Sequence, residues 1–351
     1  MNVARPDYPM SEYIVDVVPN KHRCHKGDGD MWPITWADDD DLYGGAGDNC
    51  GSHMNLWRIE ADKIWDWFQL PMFLVNNHPV DPGRYCDGNS IKPAGLLCLD
   101  GVLYMAVECM NYGDNPEFNR QHNLNGWIVS STDYGKTWNC EATPTDFFTG
   151  RVASCHFIQY GKGRDNVRDG YVYAIFPGVG DDGNSYWENG DYILLGRVPA
   201  DRLLERDAWE FCVNIDEANQ ASWGTDDGDA VPVFRYPRMT GENHLSFNPG
   251  IGRYLLGNYG FVDEHVQPRP YHQLDWPHSA ERSQLTLFEA PEPWGPWSLF
   301  HIDDDWGTYG DYQPSFPPKL MTENGQEVVI VSSGTYDDYN LTTQLLRLVL
   351  A

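Results

Sequence analysis

A short apolar strand, a turn rich in Asp or Gly, and a second apolar strand recur five times along the 351 residues. The hairpins join residues 32–36 to 42–45, 94–98 to 102–107, 155–159 to 171–176, 244–248 to 253–256, and 319–321 to 328–331. Long amphipathic helices are missing, so the pattern predicts an all-β fold of repeated antiparallel units. Five units of about 70 residues predict a single five-bladed β-propeller. A sandwich or barrel is the alternative.

The repeat also predicts where the propeller begins. Its first hairpin starts near residue 28, so residues 28–351 are predicted to form the propeller, with 1–27 as an N-terminal extension that packs on it. The apolar segment 345–350 is expected to close the ring by pairing with the start of the chain.

One turn carries a specific signature. Residues 131–138 read S-T-D-Y-G-K-T-W, which matches the S-x-D-x-G-x-T-W Asp box of sialidase-like propellers. The Ser131 and Asp133 side chains can hydrogen-bond to the backbone of the turn, and Gly135 accepts a positive φ. Asp boxes lie on blade edges away from the active site, so we interpret Asp133 as structural.

Composition excludes several classes of protein. The 52 acidic residues exceed the 24 Lys and Arg and give a net charge of −28, which argues against a nucleic-acid partner. The sequence contains no run of 18 apolar residues, so no membrane-spanning segment is predicted. Eight cysteines without a C-x-x-C pair exclude a zinc ribbon. Residues 1–20 lack an apolar signal core; we expect a secreted or periplasmic protein whose signal is missing from this chain, with a cytoplasmic location left open.

The strongest candidate for chemistry is a pair of aspartates. A propeller directs the starts of its innermost strands toward a central pocket, and the first hairpin turns near Asp39. That turn makes Asp30 and Asp48 opposite or diagonal neighbours. Retaining glycosidases use two carboxyl groups about 5–5.5 Å apart as nucleophile and acid/base. The alternative is that the two aspartates cap turns or hold a calcium ion.

Other residues at the same strand starts are candidates to bind the substrate. They are Asp28, Trp32, Lys92, Arg151, His156, His244, Tyr312 and Gln313. Aromatic residues make up 14% of the chain, and an acidic, aromatic cleft suits a neutral or cationic carbohydrate. No metal-ligand set is predicted and no cofactor is required, although a structural calcium ion is compatible with the acidic loops.

A series of short motifs resembles a known family. They include Trp32-Pro33-Ile34-Thr35-Trp36, Gly47-Asp48, Lys92-Pro93-Ala94-Gly95-Leu96-Leu97 and Pro293-Trp294-Gly295-Pro296-Trp297. From about residue 28 onward the chain resembles bacterial propeller proteins once catalogued as a domain of unknown function. That family is now linked to glycoside hydrolases, including endo-D-arabinanases.

The resemblance implies two catalytic aspartates that flank the first hairpin, the second of them within Gly-Asp-Thr. Asp30 and Asp48 match these positions, with Asn49 in place of the threonine and Asp28 as a second candidate for the first acid. The resemblance therefore implies a sugar-cleaving enzyme and a pair of acids, without D-arabinan specificity.

The predicted function is cleavage of a glycosidic bond in an oligo- or polysaccharide. One alternative is a polysaccharide lyase, in which His156 or His244 with Tyr312 removes the proton next to a uronate carboxylate that Lys92 or Arg151 neutralises. Another is a lectin-like propeller whose acidic pair holds a cation. A sialidase is disfavoured because the N-terminal region lacks a Phe/Tyr-Arg-Ile-Pro motif.

Overall fold

The computed structural model describes residues 5–49, 52–61, 64–81, 90–111, 122–178, 185–186, 190–263, 265–268, 282–307, 310–334 and 339–351. In these residues the strands form five antiparallel sheets of four to six strands each. The sheets follow one another along the chain, and the last one also takes in the first strand. The chain is therefore a five-bladed β-propeller, which confirms the prediction from the recurring hairpins.

The strands are grouped by blade as follows. Blade one holds β3 (Asp30–Trp36), β4 (Leu42–Asn49), β5 (Ser52–Ile59) and β6 (Met72–Asn76). Blade two holds β7 (Ser90–Leu99), β8 (Val102–Asn111), β9 (His122–Ser131), β10 (Phe148–Thr149) and β13 (Ser185–Tyr186). Blade three holds β11 (His156–Phe157), β12 (Tyr171–Gly178), β14 (Gly190–Pro199), β15 (Glu210–Ile215), β16 (Ala221–Gly224) and β17 (Phe234–Thr240).

Blade four holds β18 (His244–Asn248), β19 (Arg253–Val262), β20 (Arg282–Ala290) and β21 (Ser298–Trp306). Blade five holds β22 (Tyr312–Ser315), β23 (Glu327–Gly334), β24 (Asn340–Leu350), β1 (Ile14–Pro19) and β2 (Cys24–Lys26). Short 3₁₀ helices occur at Ile64–Phe68, Gly150–Val152, Gly163–Asn166, Arg206–Ala208, Asp227–Asp229 and Pro318–Leu320. Within the described ranges, no helix has the length and apolar character needed to cross a membrane.

The two ends of the chain close the ring. β1 pairs antiparallel with β24, from Ile14 opposite Leu350 to Pro19 opposite Leu346. β2 pairs with an earlier part of β24. Two strands of the predicted N-terminal extension thus take part in the sheet of blade five, and the predicted pairing of 345–350 with the chain start is confirmed.

The predicted first strand of the fifth unit is wrong. Residues 319–321 were expected to form it, but Pro318–Leu320 is a 3₁₀ helix and Met321 makes only an isolated bridge to Val328. Consecutive prolines at 317 and 318 remove two backbone donors, which disfavours a ladder there. The inner strand of blade five is β22, which begins at Tyr312.

The Asp box forms the hairpin turn that its sequence predicts. Asp133 accepts hydrogen bonds from the Thr137 backbone at 2.9 Å and the Thr137 hydroxyl at 2.7 Å. The Gly135 amide donates to the Ser131 hydroxyl at 2.8 Å, with φ of 85° at the glycine. The Trp138 indole donates to the Gly135 carbonyl at 3.0 Å. The Asp133 carboxylate is therefore occupied by hydrogen bonds within the turn.

Candidate active site

The five inner strands converge on the propeller axis at their starts. β3, β7, β11, β18 and β22 each open a blade, and the polar side chains at or near these starts are buried. Contacts there cross from blade to blade: Tyr312 reaches Asp30, and Lys92 reaches the same aspartate. The structure thus gathers the polar residues of different blades into one central cluster.

Asp30 and Asp48 share a single lysine. The Lys92 ammonium lies 3.6 Å from Asp30 Oδ1 and forms a close ion pair with Asp48 Oδ1. The Tyr312 hydroxyl donates to Asp30 Oδ2 at 3.0 Å. The exposed fractions of the side chains are 2% for Lys92, 10% for Asp30 and 27% for Asp48, so the pair is buried on one side and open to solvent at Asp48.

The register of the first hairpin differs by one residue from the predicted one. Near the turn, Trp36 faces Leu42 as expected, but a bulge between Met31 and Ile34 shifts the pairing so that Asp30 faces Gly47. Met31 and Trp32 have φ of 75° and 56°, which marks the bulge. Asp48 is therefore the residue after Asp30's partner, and its carboxylate reaches the site with φ of 45°.

Gly47 leaves room for the lysine between the two acids. A Cβ at this position would lie 2.6 Å from Asp30 Oδ1 and 2.7 Å from Lys92 Cδ. Neither atom could stay in place, because real carbon atoms do not approach that closely. The Gly-Asp sequence at 47–48 thus combines a packing requirement at position 47 with an ion pair to Lys92 at position 48.

Burial changes the acidity of Asp30. It raises the pKa of this carboxyl group to about 6; Lys92 opposes the shift, and the charge of Asp48 adds to it. Tyr312 also favours the charged form through its hydrogen bond. Asp30 therefore holds or releases a proton in the mildly acidic range, which is what an acid/base catalyst requires.

A second carboxylate pair at the axis was missed from the sequence. Glu108 and Glu242 are both fully buried. Glu242 accepts hydrogen bonds from Asn123 Nδ2 at 2.9 Å, Gln313 Nε2 at 2.9 Å and the Ser154 hydroxyl at 3.2 Å. Burial and the neighbouring Glu242 raise the pKa of Glu108 well above its ordinary value. Burial raises the pKa of Glu242 too, but its hydrogen bonds favour the charged form. We therefore expect a proton shared by the pair to reside on Glu108 rather than on Glu242.

Two sequence signals could have found this pair. Glu108 is a lone acid within the apolar run Ala106-Val107-Glu108-Cys109-Met110, and it faces Lys92 across the β7–β8 hairpin. Glu242 lies two residues before the start of β18, an inner strand. An acid in either position is buried by the fold and needs a partner.

We expect the two glutamates to respond differently to an isosteric amide. Glu108→Gln should change the free energy of unfolding at pH 7 by less than about 1 kcal/mol, because the amide imitates the protonated acid. Glu242→Gln should cost about 3 kcal/mol or more, because its NH₂ group would replace one oxygen and face the donors there, which are Asn123 and Ser154 at Oε1 or Gln313 at Oε2. Urea denaturation of both variants measures the difference. A larger loss in Glu108→Gln would place the proton on Glu242 instead.

His156 and His244 pack edge-on against each other, with His156 next to this glutamate pair. Their ring centroids are 5.2 Å apart, and burial lowers the pKa of His156 well below its ordinary value and that of His244 to about 4. Both imidazoles are thus neutral at neutral pH. Ser154 lies 2.7 Å from His156 Nε2 and donates to Glu242, so His156 Nε2–H donates to the serine.

The residues best arranged to hold a metal ion lie in the same place. Glu108, His156 and Glu242 each offer a ligand atom within 4.8 Å of the other two. One imidazole and two carboxylates suit a transition-metal ion better than calcium. Asn123, Gln313 and Ser154 satisfy Glu242. Among the described residues, both carboxyl oxygens of Glu108 and Nδ1 of His156 are buried without a hydrogen-bond partner.

Three of the predicted substrate-binding residues lie outside these contacts. Trp32 is a correction, because its ring is fully buried in the apolar cluster that joins blade one to blade five, with its indole donating to the Gly29 carbonyl at 2.9 Å. Arg151 donates to the carbonyls of Gly228 and Ala230, both at 3.2 Å, and so supports a loop of blade three. Asp28 is half-buried just before β3.

Comparison with known proteins identifies the fold. No protein-family model matches the sequence, and no curated protein matches it significantly. Among solved structures, a candidate hydrolase from Bacteroides ovatus aligns over 98% of this chain and 97% of its own, with 13% identity and a TM-score of 0.53. A xylan β-1,4-xylosidase from Bacillus halodurans aligns over 94% of this chain and 56% of its own, with 12% identity and a TM-score of 0.52. At these identities the likeness concerns the propeller architecture.

Proposed function

We propose that the protein is a glycoside hydrolase that cleaves glycosidic bonds in an oligo- or polysaccharide, with Asp30 and Asp48 as its acid pair. The observation that carries this proposal is the single Lys92 ammonium held by both carboxylates. Two acids that contact one nitrogen are kept within two ion-pair lengths of each other. That spacing agrees better with the ~5–5.5 Å of retaining glycosidases than with the ~6.5–9.5 Å of inverting ones.

The environments of the two acids suggest which of them is the acid/base and which is the nucleophile. Asp30, with its pKa raised to about 6, donates its proton to the leaving-group oxygen as the glycosidic bond breaks. Asp48, the more exposed acid, attacks the anomeric carbon as a carboxylate and forms a glycosyl ester. Water then attacks the same carbon, Asp30 takes the proton of that water, and the ester bond to Asp48 breaks.

Further support comes from the sequence resemblance to propeller glycoside hydrolases and from the propeller architecture shared with a xylosidase. Tyr312 contacts the acid pair through Asp30. We propose that Tyr312, Gln313, His244 and Asp28 bind sugar hydroxyls. Action outside the cytoplasm is also part of the proposal. Cys109 is disulfide-bonded, and disulfides persist mainly in oxidising compartments.

The geometry favours hydrolysis over the two alternatives. A lyase needs a free cation to neutralise the uronate, but Lys92 is paired with two aspartates and Arg151 with backbone carbonyls. A lectin-like site needs a metal ion between Asp30 and Asp48, and the Lys92 ammonium is the cation that both contact.

A glycan panel tests the proposal. Incubation with neutral and uronate-containing polysaccharides should release reducing ends without a gain in absorbance near the ultraviolet band of unsaturated uronates. Product that absorbs there would identify a lyase. Binding without any product, over a panel of plant and bacterial polysaccharides, would support the lectin-like alternative and contradict the proposal.

A further inference from the structure

A cavity of about 590 Å³ opens at the other end of the propeller axis. Its wall includes Trp36, Tyr160, Asp165, Arg168, Phe247 and Tyr254. Trp36 is the last residue of β3 and Asp30 the first, so about 20 Å of strand separates this cavity from the acid pair. Its volume lies in the usual range for small-molecule sites.

Trp36 is fixed in orientation within this wall. Its indole N–H donates to Asp40 Oδ1 at 3.0 Å, and Lys162 donates to the same oxygen at 3.0 Å. The hydrogen bond from Lys162 lowers the pKa of Asp40. The Asp40 carboxylate therefore fixes the Trp36 indole, and Lys162 fixes the carboxylate. The Lys319 ammonium lies over one face of the ring, 5.6 Å from its centroid, so only the opposite face can act as a platform. A half-buried ring whose orientation is fixed offers such a platform at little entropic cost.

The opposite wall carries the hydroxyl-binding groups. The Tyr160 and Tyr254 hydroxyls lie 3.4 Å apart and both residues line the cavity, so this hydroxyl pair can exchange hydrogen bonds with a ligand. Burial raises the pKa of Tyr160 well above its ordinary value, so its hydroxyl keeps its proton. Asp165 is exposed and supplies an acceptor. The Trp36 indole, the Tyr160 hydroxyl and the Asp165 carboxylate together suit a ligand ring that carries several hydroxyl groups.

The charges of the cavity select against an anionic ligand. Its guanidinium, Arg168, is paired with Glu292 at 2.5 Å and Asp169 at 3.3 Å. Asp165 adds a negative charge on the same wall. The Lys319 ammonium lies 5.6 Å from the centroid of the Trp36 ring and is paired with Asp40. A uronate or phosphate would therefore meet Asp165 where the nearby cations are already paired, whereas a neutral sugar would meet no such repulsion.

We infer that this cavity is a second carbohydrate site, which binds a neutral oligosaccharide of two or three pyranose rings by stacking on Trp36. It would hold a polymer chain at one face of the propeller while the acid pair acts at the other. Its use in polysaccharide degradation rests on the proposed function, but sugar binding at Trp36 does not require hydrolysis.

Calorimetric titration of the full chain carrying Asp48→Asn, with xylotriose as the neutral probe and trigalacturonic acid as the anionic one, tests the inference. The expected result is xylotriose binding that Trp36→Ala weakens about tenfold or more and Tyr160→Phe weakens about threefold or more. Phe73→Ala is the matched control, because Phe73 is 46% exposed on the outer strand of blade one. It should leave xylotriose binding unchanged.

Two outcomes would each overturn the inference. These are xylotriose binding that neither cavity variant weakens, and tighter binding of trigalacturonic acid. Tyr160→Phe keeps the ring packing intact, so the test holds even where Trp36→Ala fails to fold. If no glycan is hydrolysed while binding at Trp36 is found, the proposed function fails and this inference stands; the reverse result removes only the inference.

Discussion

Asp30→Asn and Asp48→Asn should each lower the rate of glycan hydrolysis by about 10³-fold or more. An asparagine can neither donate the proton that Asp30 carries nor form the ester that Asp48 forms. The fold should survive both changes. In Asp30→Asn the amide oxygen still accepts from Tyr312, and Lys92 keeps its ion pair with Asp48. Initial rates of reducing-end release and melting temperatures measured on the same samples test this.

The activity test of Asp30→Asn and Asp48→Asn needs two further variants. Asp100→Asn removes an exposed acid that pairs with Arg164 at 2.7 Å, and it should leave hydrolysis unchanged. Asp28→Asn decides which strand-start acid is catalytic. Loss of activity in Asp28→Asn with activity retained in Asp30→Asn would transfer the role to Asp28. Activity retained in both Asp30→Asn and Asp48→Asn would remove the acid pair from the mechanism.

The hairpins made the architecture predictable because propeller strands are short, apolar and separated by turn residues. His244–Asn248 was predicted with its observed bounds, since Pro249 and Gly250 end it clearly. The convergence of Asp30, Lys92, His156, His244 and Tyr312 also followed from topology alone, because inner strands must start at one end of the axis. Predicting that these residues lie close together required no knowledge of side-chain contacts.

Properties set by contacts between blades could not be predicted in this way. The bulge that moves Asp30 opposite Gly47 depends on the positive φ of Met31 and Trp32, which neither residue type signals. The burial of Trp32 depends on an apolar cluster that joins blade one to blade five, including Val329, Val331 and Leu341. Glu242 was missed because its partners, Asn123, Ser154 and Gln313, come from three distant parts of the chain.

Lys92→Met should destabilise the fold by about 3–5 kcal/mol at pH 8. The lysine side chain is 2% exposed, and its removal leaves Asp30 and Asp48 as two neighbouring carboxylates without a cation. Lys162→Met is the matched control. It removes an exposed ion pair with Asp40 and should cost about 1 kcal/mol or less, because surface pairs contribute little. Urea denaturation of both variants gives the comparison.

The pH dependence of this loss follows from the direction of the Asp30 shift. Its pKa is raised in the folded state, so ionisation of Asp30 lowers stability as the pH rises from the unfolded value through about 6. Lys92 offsets part of that shift, and Lys92→Met should move the pKa of Asp30 higher still. The destabilisation is therefore expected to be smaller at pH 4, where Asp30 is protonated in both proteins, and to grow toward pH 8.

The pH dependence of the hydrolysis rate should change as well. The limb of the pH–rate profile that lies near pH 6 should move to higher pH in Lys92→Met, because the pKa of Asp30 rises. A loss of stability equal at pH 4 and pH 8, with the limb unmoved, would mean that Lys92 acts through the packing of its stem rather than through the charge that sets the protonation of Asp30.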